Sequence, residues 1–357
     1  MSNQQLATHS ESRGGKQPLH VVPESYGLGQ RRYLGGKTKL LDAIYEISTK
    51  ALGHSPESVF DVFAGTGVVA ERFAREGSNV IANDLLFHNY VSLQAFLGKG
   101  KISIDSLCEK LSALERVKGS KNYFSENFGG TFFSLENAKK IGAIREEIDK
   151  IADSERERMC LLSSLIYATD KIANTVGHYD AFHRAQNNSN PLVLRVPSIF
   201  TRTSKNVVLN GDSNELAANY YSDVIYLDPP YNSRQYSDAY HLLENLARWE
   251  KPETFGIARK MDRTNIKSKF CGKSAPAAFA SLIESLDGKV IIVSFNNTGE
   301  SRAARSNSTL TDEQILKPLQ ARGKVKTIDI EFGAFTTGKT KDRNGHMERL
   351  FVCEVAR

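Results

Sequence analysis

Short apolar runs that end in glycine or acidic residues recur along the chain and predict the strands of a buried parallel sheet. Residues 59–62 form such a run and are followed by Phe-Ala-Gly-Thr-Gly at 63–67, helical spacing at 68–75 and a second strand at 79–82. Strand, glycine turn, helix and strand in this order are typical of a βαβ unit, whose parallel sheet is covered on both faces. Further strands are predicted at 207–209, 224–227 and 290–295, and an antiparallel pair at 325–332 and 349–355.

A long region between the early and late strands has helical periodicity instead. Apolar residues recur at helical intervals there, as in Ile141, Ile144, Ile148 and Ile151. The simplest organisation is one α/β domain made of residues 21–90 and 201–357, interrupted by a mostly helical insertion at residues 91–200. Residues 1–20 are polar and are predicted to be a flexible tail.

Composition narrows the class of protein. With 357 residues, 40% of them hydrophobic and 25% charged, the chain resembles a soluble globular protein with a large core. It has no apolar run long enough to span a membrane and no secretion signal. Four scattered cysteines without a Cys-x-x-Cys pair argue against a metal site or disulfides and favour a reducing cytoplasm. A net charge of +6 mildly favours a polyanionic partner.

The predicted strand at 224–227 stops at Asp228-Pro229-Pro230-Tyr231. Two consecutive prolines lack backbone N–H groups, so neither a strand nor a helix can continue through them. The free carbonyls beside them, the Asp228 carboxylate and the Tyr231 ring suit the binding of a planar ring that carries an amino group, such as adenine. A simple strand-ending turn is the alternative interpretation.

The glycine turn is a candidate cofactor site. Gly65 and Gly67 stand where a strand turns into a helix and would let a ligand approach the backbone closely. Asp84 ends the next strand and could accept both ribose hydroxyls of an adenosine ligand. These residues suit NAD and S-adenosylmethionine equally. A hydride-transfer enzyme, however, does not need the amine-binding turn at Asp228, so this turn favours S-adenosylmethionine.

Lys37 and Asp212 each allow two interpretations. Lys37 follows two glycines but lacks the earlier glycine of a phosphate loop, since Arg31 stands there. It either reaches the carboxylate of a bound amino-acid group or is a solvated lysine in a turn, which is the simpler reading. Asp212 either accepts from an adenine amino group or caps a helix.

The region after the Pro-Pro turn predicts a helix and a basic loop. Ser237 or Asp238 is predicted to cap a helix that buries an apolar stripe ending at Trp249. Residues 256–273 are rich in lysine and arginine, which suits either phosphate contacts or a solvated loop.

The segments at 33–37, 63–67, 83–84 and 228–231 occur in the order found in the Dam-like class of N6-adenine DNA methyltransferases, which the chain resembles. The segment from Asp228 to Glu244 is most similar to the methylases of FokI-type restriction–modification systems. The resemblance covers most of the chain beyond the tail. Tyr33 stands where many Dam relatives carry tryptophan, and another aromatic ring should serve.

The resemblance implies the Rossmann-like α/β fold of S-adenosylmethionine-dependent methyltransferases, with a seven-stranded, mainly parallel sheet, an antiparallel strand near one edge and a mostly helical insertion. The catalytic residues it implies are Asp228, Pro229, Pro230 and Tyr231. The residues it implies for binding S-adenosyl-L-methionine are Tyr33, Lys37, Phe63, Gly65, Gly67, Asp84, Asp212 and Asp228. The insertion would recognise the DNA target, and its Asn174, His178, Tyr179 and Arg184 suit structural roles as well as base contacts.

The implied activity is methyl transfer to N6 of an adenine flipped out of double-stranded DNA, as the modification part of a restriction–modification system. Asp228 and a carbonyl preceding proline would accept the amine protons and direct the nitrogen lone pair at the methyl group. A cognate restriction endonuclease is an expected partner, and the enzyme is expected to act as a monomer on DNA in the bacterial cytoplasm. Methylation of RNA adenine, of cytosine N4 or of a protein glutamine, and a catalytically inactive DNA-binding relative, remain alternatives.

Overall fold

The computed structural model of the chain describes residues 24–184, 189–200, 205–296, 308–332 and 346–356. The predicted tail at residues 1–20 lies outside these ranges. The strands are β1 (Ser25–Tyr26), β2 (Ser58–Asp61), β3 (Asn79–Asp84), β4 (Val196–Pro197), β5 (Val207–Asn210), β6 (Tyr221–Leu227), β7 (Asp287–Asn296), β8 (Gly323–Phe332) and β9 (His346–Val355). The helices are α1 (Leu41–Leu52), α2 (Val68–Arg75), α3 (Phe87–Leu97), α4 (Ile104–Glu115), α5 (Tyr123–Phe128), α6 (Leu135–Ile151), α7 (Glu155–Ile172), α8 (Ser213–Leu216), α9 (Tyr236–Ala239), α10 (His241–Arg248), α11 (Ala275–Ser285) and α12 (Asp312–Arg322).

Seven strands form one sheet in the order β5-β3-β2-β6-β7-β9-β8. The pairs β5–β3, β3–β2, β2–β6 and β6–β7 are parallel, whereas β9 runs antiparallel to both β7 and β8. The predicted mainly parallel sheet with an antiparallel strand near one edge is therefore confirmed.

Side chains of the central strands alternate between two apolar layers. In β6, Val224 and Tyr226 belong to the larger buried cluster, and Ile225 and Leu227 to the smaller one on the other face. Each face is thus covered by helices, as the apolar runs of the sequence require for a parallel sheet.

The chain between β3 and β4 is mostly helical, as the fold prediction expected. Helices α4, α5, α6 and α7 each begin at a side chain that accepts a hydrogen bond from the first helical turn, namely Ser103, Asn122, Ser134 and Ser154. Such caps satisfy backbone N–H groups that have no partner within the helix. No helix in the described ranges is long and apolar enough to cross a bilayer.

The predicted cap at Ser237 or Asp238 is wrong. Both residues lie inside α9, which ends at Ala239. At the next residue, Tyr240, the backbone (φ −122°, ψ 19°) leaves helical geometry before α10 begins. The apolar stripe itself is present in α10. Trp249, predicted to be core, is half-buried behind this helix and packs against the edge of the larger cluster.

Candidate active site

The carboxyl ends of four parallel strands meet at one edge of the sheet. There β2 ends at Asp61, β3 at Asp84, β5 at Asn210 and β6 at Leu227, one residue before Asp228. The strand order changes direction between β2 and β6. The chain first places β3 and β5 on one side of β2, and then places β6 and β7 on the other side. Such a switch point is where open α/β sheets bind their ligands.

The glycine turn between β2 and α2 requires glycine at two positions. Gly65 has a φ of 53° and Gly67 a φ of 88°, a conformation that other residues rarely adopt. A Cβ atom at Gly65 would lie 3.0 Å from the Tyr33 ring. The turn and Tyr33 are therefore in direct contact, as neighbouring parts of one wall.

Asp84 holds this turn in place. Its Oδ2 accepts a hydrogen bond from the Gly65 N–H at 2.8 Å, and its Oδ1 accepts from the Leu86 N–H and from Asn89. Burial raises the pKa of Asp84 to about 6, although these hydrogen bonds act in the opposite direction. The carboxylate keeps one lone pair on Oδ2 for a ligand hydroxyl.

Lys37 is not a solvated lysine, so the simpler reading of the sequence was wrong. Its Nζ lies 2.8 Å from the Asp228 carboxylate and 3.3 Å from that of Glu348, and the side chain is buried. Burial alone would lower the pKa of Lys37, but the Asp228 carboxylate raises it well above the ordinary value. Burial raises the pKa of Asp228 to about 6 against the opposing effect of Lys37. At neutral pH the pair is therefore ionised.

A cavity that is partly open to solvent joins the glycine turn to Asp228. Most of the predicted site residues line it, namely Tyr33, Lys37, Phe63, Gly65, Asp84, Asp212, Asp228 and Pro230. Gly67 lies two residues beyond Gly65 at the start of α2. The structure thus brings the predicted cofactor-side and amine-side residues to one space.

Asp61 and Tyr236 also line this cavity and were not singled out in the sequence. Asp61 accepts the Ala70 N–H through Oδ2, while its buried Oδ1 has no hydrogen-bond partner among the described residues. Burial raises the pKa of Asp61 to about 8. Its signal was an acid that ends a strand, the same signal that identified Asp84.

Tyr33 and Tyr236 line the cavity, and Tyr240 packs against Tyr33. The Tyr33 ring stacks on Tyr240 with centroids 4.8 Å apart and planes within 9°, and Tyr236 lies 5.5 Å from Tyr33. The Tyr240 hydroxyl accepts the Leu34 N–H at 2.8 Å. This packing holds the segment around Tyr33 against α9 and α10.

Asp212 caps α8, as one reading of the sequence predicted. Its Oδ1 accepts the Asn214 N–H at 3.0 Å, and its Oδ2 lies 2.7 Å from Lys269. Because Asp212 also lines the cavity, the cap leaves it beside any ligand bound there. Phe63 packs edge-on against Phe270, with centroids 5.0 Å apart.

The Pro-Pro turn ends β6 as predicted, and no helix begins before Tyr236. Pro229 is buried, whereas Pro230 lines the cavity. Tyr231 does not line this cavity; its ring packs edge-on against Phe295 at 5.4 Å. Of this turn, Asp228 and Pro230 therefore face the cavity, whereas Tyr231 does not.

Two of the four insertion candidates are buried and have structural partners, and His178 lies 3.5 Å from Asp180. Asn174 is buried and donates to the carbonyls of Thr131 and His183, and Tyr179 is buried with its hydroxyl 3.1 Å from Asp170. His178 is half-buried, and Arg184 is exposed.

The basic loop at residues 256–273 is partly neutralised. Lys260 pairs with Asp180, Arg263 with Asp238 and Lys269 with Asp212. Lys267 and Lys269 line the cavity, so the loop borders the site.

Comparison with known proteins identifies the family. The model of the D12 class of N6 adenine-specific DNA methyltransferases matches residues 33–284. The modification methylase StsI of Streptococcus sanguinis is 35% identical over 90% of this chain and 52% of its own length. Type II methyltransferase M.NlaIII of Neisseria lactamica is 33% identical over 89% of this chain and 96% of its own. Type II methyltransferase M.FokI of Planomicrobium okeanokoites is 30% identical over 87% of this chain and 50% of its own length.

The chain therefore spans about half the length of two of these relatives and nearly all of the third. The family match begins at Tyr33 and contains both the glycine turn and Asp228. These findings confirm the resemblance drawn from the motifs: the chain belongs to the D12 class of N6 adenine-specific DNA methyltransferases.

Proposed function

We propose that this protein transfers a methyl group from S-adenosyl-L-methionine to N6 of an adenine that has been flipped out of duplex DNA. The observation that carries the proposal is the single cavity whose wall contains both the glycine turn and the Asp228 carboxylate. Membership of the D12 class supports the reaction and the base. The names of the relatives support a role as the modification part of a restriction–modification system.

The residues around the glycine turn fit S-adenosyl-L-methionine. Its sulfonium and ammonium groups are cationic, and the buried Asp61 Oδ1, which has no hydrogen-bond partner among the described residues, offers an acceptor for the ammonium group. The bound cation would lower the pKa of Asp61, which burial has raised to about 8, and would so favour the carboxylate. Asp84 has a lone pair left for a ribose hydroxyl, and Phe63 and Tyr33 supply apolar walls. When bound, the cofactor supplies a methyl group that its sulfonium sulfur already activates.

Asp228 would position the target amine. The lone pair of an adenine amino group is delocalised into the ring, which makes the nitrogen a poor nucleophile. Hydrogen bonds from its two N–H groups to Asp228 and to a carbonyl next to a proline would favour a pyramidal nitrogen with its lone pair aimed at the methyl group. The nitrogen–carbon bond would form as the carbon–sulfur bond breaks, and the methylated nitrogen would then lose a proton to water. Lys37 would keep the Asp228 carboxylate charged and fixed in direction, 2.8 Å away. Tyr231, beside this carboxylate, would stack on the flipped base.

The DNA would lie across the insertion and the basic loop. We infer that residues 91–200 recognise the target sequence and that exposed cations such as Arg184 and Lys267 contact phosphates. A cognate restriction endonuclease is the proposed partner, and the protein would act as a monomer, in the cytoplasm where this DNA is found.

Labelled S-adenosyl-L-methionine offered with duplex DNA, RNA or protein extract tests the proposal. Label is expected in DNA adenine alone. The Asp228→Asn variant should lose at least about 100-fold in rate, the size typical of removing one charge-matched group at a reacting centre. Asp287→Asn, at an exposed site on β7, serves as the matched control and should keep the wild-type rate.

Label only in RNA or protein would refute duplex DNA as the substrate. An Asp228→Asn variant that stays folded and retains most of its rate would refute the role of Asp228.

A further inference from the structure

A short turn at residues 255–260 exposes apolar side chains at the protein surface. Phe255 and Lys260 exchange backbone hydrogen bonds of 2.8 and 3.0 Å, which closes the turn. Ile257 at its tip is 76% exposed and Phe255 is 57% exposed. Ile257 is the most exposed large apolar side chain in the described part of the chain. Exposing two large apolar side chains to water on one short turn is unfavourable, and such neighbouring side chains indicate an interaction site.

The turn is anchored on both sides. Before it, the Pro252 carbonyl accepts the Tyr123 hydroxyl at 2.6 Å, and the Thr254 hydroxyl donates to Asn127 at 2.7 Å, both on α5. Inside it, Ala258 packs against the larger apolar cluster. The tip is therefore held outward by a fixed base.

Two ion pairs connect the turn to the loop that follows Asp228. Lys260 lies 2.7 Å from Asp180, and the same carboxylate lies 3.5 Å from Arg234, three residues after Tyr231. Lys260 also lies 4.0 Å from Asp238 on α9, the helix that carries the cavity residue Tyr236. The turn thus borders the place where the target base would enter.

We propose that the 255–260 turn enters the duplex beside the target adenine, with the Ile257 side chain filling the gap that the flipped base leaves. This inference rests on the proposed function. Apolar side chains inserted at a base step stabilise an unstacked duplex, and extrusion of a base is unfavourable by itself. The exposed Arg259 next to the tip matches the charge of the flanking phosphates, which favours a nucleic acid over an apolar protein partner.

The test compares two DNA substrates once the target sequence has been mapped from methylated adenine in host DNA. One duplex has the normal thymine opposite the target adenine, and the other has an abasic position there, so that its adenine is already poorly held. Ile257→Ala should lower the single-turnover rate on the normal duplex by about 10- to 100-fold, the size expected for losing the burial of one isoleucine. On the abasic duplex its rate should stay within about threefold of wild type.

Tyr221→Ala is the control, since Tyr221 is a 50% exposed apolar residue at the start of β6, at the opposite end of that strand from Asp228. It should leave both rates unchanged. The fluorescence of 2-aminopurine at the target position should rise on binding of the wild type and rise much less with Ile257→Ala.

Equal rates of Ile257→Ala and wild type on the normal duplex would overturn the inference, and so would equal losses on both duplexes. Unchanged thermal unfolding and cofactor affinity of the variant would show that any loss does not come from misfolding. A wild-type protein that methylates neither duplex would instead refute the proposed function.

Discussion

Lys37 links two carboxylates at the candidate active site. It is buried between Asp228 and Glu348, two carboxylates that would repel each other without it. The Coulomb effect of Lys37 lowers the pKa of Asp228, which burial by itself raises. Lys37 therefore lowers the pH above which Asp228 is ionised and could accept a hydrogen bond from the proposed target amine.

The Lys37→Met variant should show this effect in its pH profile. In the wild type, the methylation rate should fall as the pH drops through about 6, where Asp228 becomes protonated. Without the cation the pKa of Asp228 rises further, so the fall should begin at a higher pH. Single-turnover rates between pH 5 and 9, each relative to its own maximum, measure the shift.

The same variant should lose about 3–5 kcal/mol of unfolding free energy, because a buried ion pair has lost one partner. Lys289→Met is the control: Lys289 also lies 2.8 Å from an aspartate, Asp223, but its side chain is 49% exposed. Its loss should stay below about 1 kcal/mol. If the methylation rate of Lys37→Met began to fall at the same pH as that of the wild type, the assigned role of Lys37 would be contradicted.

Local sequence accounts for part of the site and not for its long-range contacts. Asp84, Asp228 and the glycines could be predicted because each follows a recognisable strand and strand ends converge. Asp61 obeys the same rule and could have been found with it. The burial of Lys37 could not, since its partner Glu348 comes from β9, which nothing near Lys37 specifies.

At the scale of helices, α10 supplies a cap that α3 lacks. Leu86, at the start of α3, has no side chain that can accept a hydrogen bond. Glu244 on α10 instead accepts the N–H groups of Phe87 and His88 at 2.9 and 3.0 Å. Burial would raise the pKa of Glu244, but the His88 hydrogen bond brings it below the ordinary value, so the carboxylate is ionised.

The Glu244→Gln variant should bind S-adenosyl-L-methionine about tenfold more weakly, since an amide nitrogen replaces one acceptor and the helix start behind Asp84 loosens. The rate at saturating cofactor should change little, because Glu244 does not line the cavity. Calorimetric titration gives the affinity, and hydrogen exchange should be faster at Phe87 and His88.

Glu46→Gln, on the exposed face of α1, is the control for this substitution and should bind the cofactor normally. A variant of Glu244 with normal affinity and a reduced maximal rate would contradict a positioning role.

The seven strands of the larger sheet were predictable for a physical reason, whereas the two-residue strands β1 and β4 and the helix boundaries were not. A strand buried on both faces is a continuous apolar run that ends where glycine or an acid begins, as at 59–62 and 224–227. The break between α9 and α10 at Tyr240 leaves no such mark, because that tyrosine is fixed by its contacts to Tyr33 and Leu34. Tertiary packing decides such positions.

For the molecule as a whole, cofactor binding should raise the free energy of unfolding. A ligand that binds only the folded protein adds about 2.7 kcal/mol at 100 times its Kd, which corresponds to a rise of several degrees in Tm. S-adenosyl-L-methionine should produce this rise in a thermal unfolding assay, and NAD at the same concentration should not. A rise with NAD alone would favour the hydride-transfer reading that the glycine turn left open.

The position of β9 has a consequence for synthesis on the ribosome. This strand lies between β7 and β8 and carries Glu348, so β8 has no sheet to join until residues 346–355 have emerged. A nascent chain that stops short of them has its glycine turn and Asp228 loop but lacks one of the two carboxylates that hold Lys37. Methylation competence should therefore arise late and abruptly during translation, which ribosome-bound chains of increasing length can reveal.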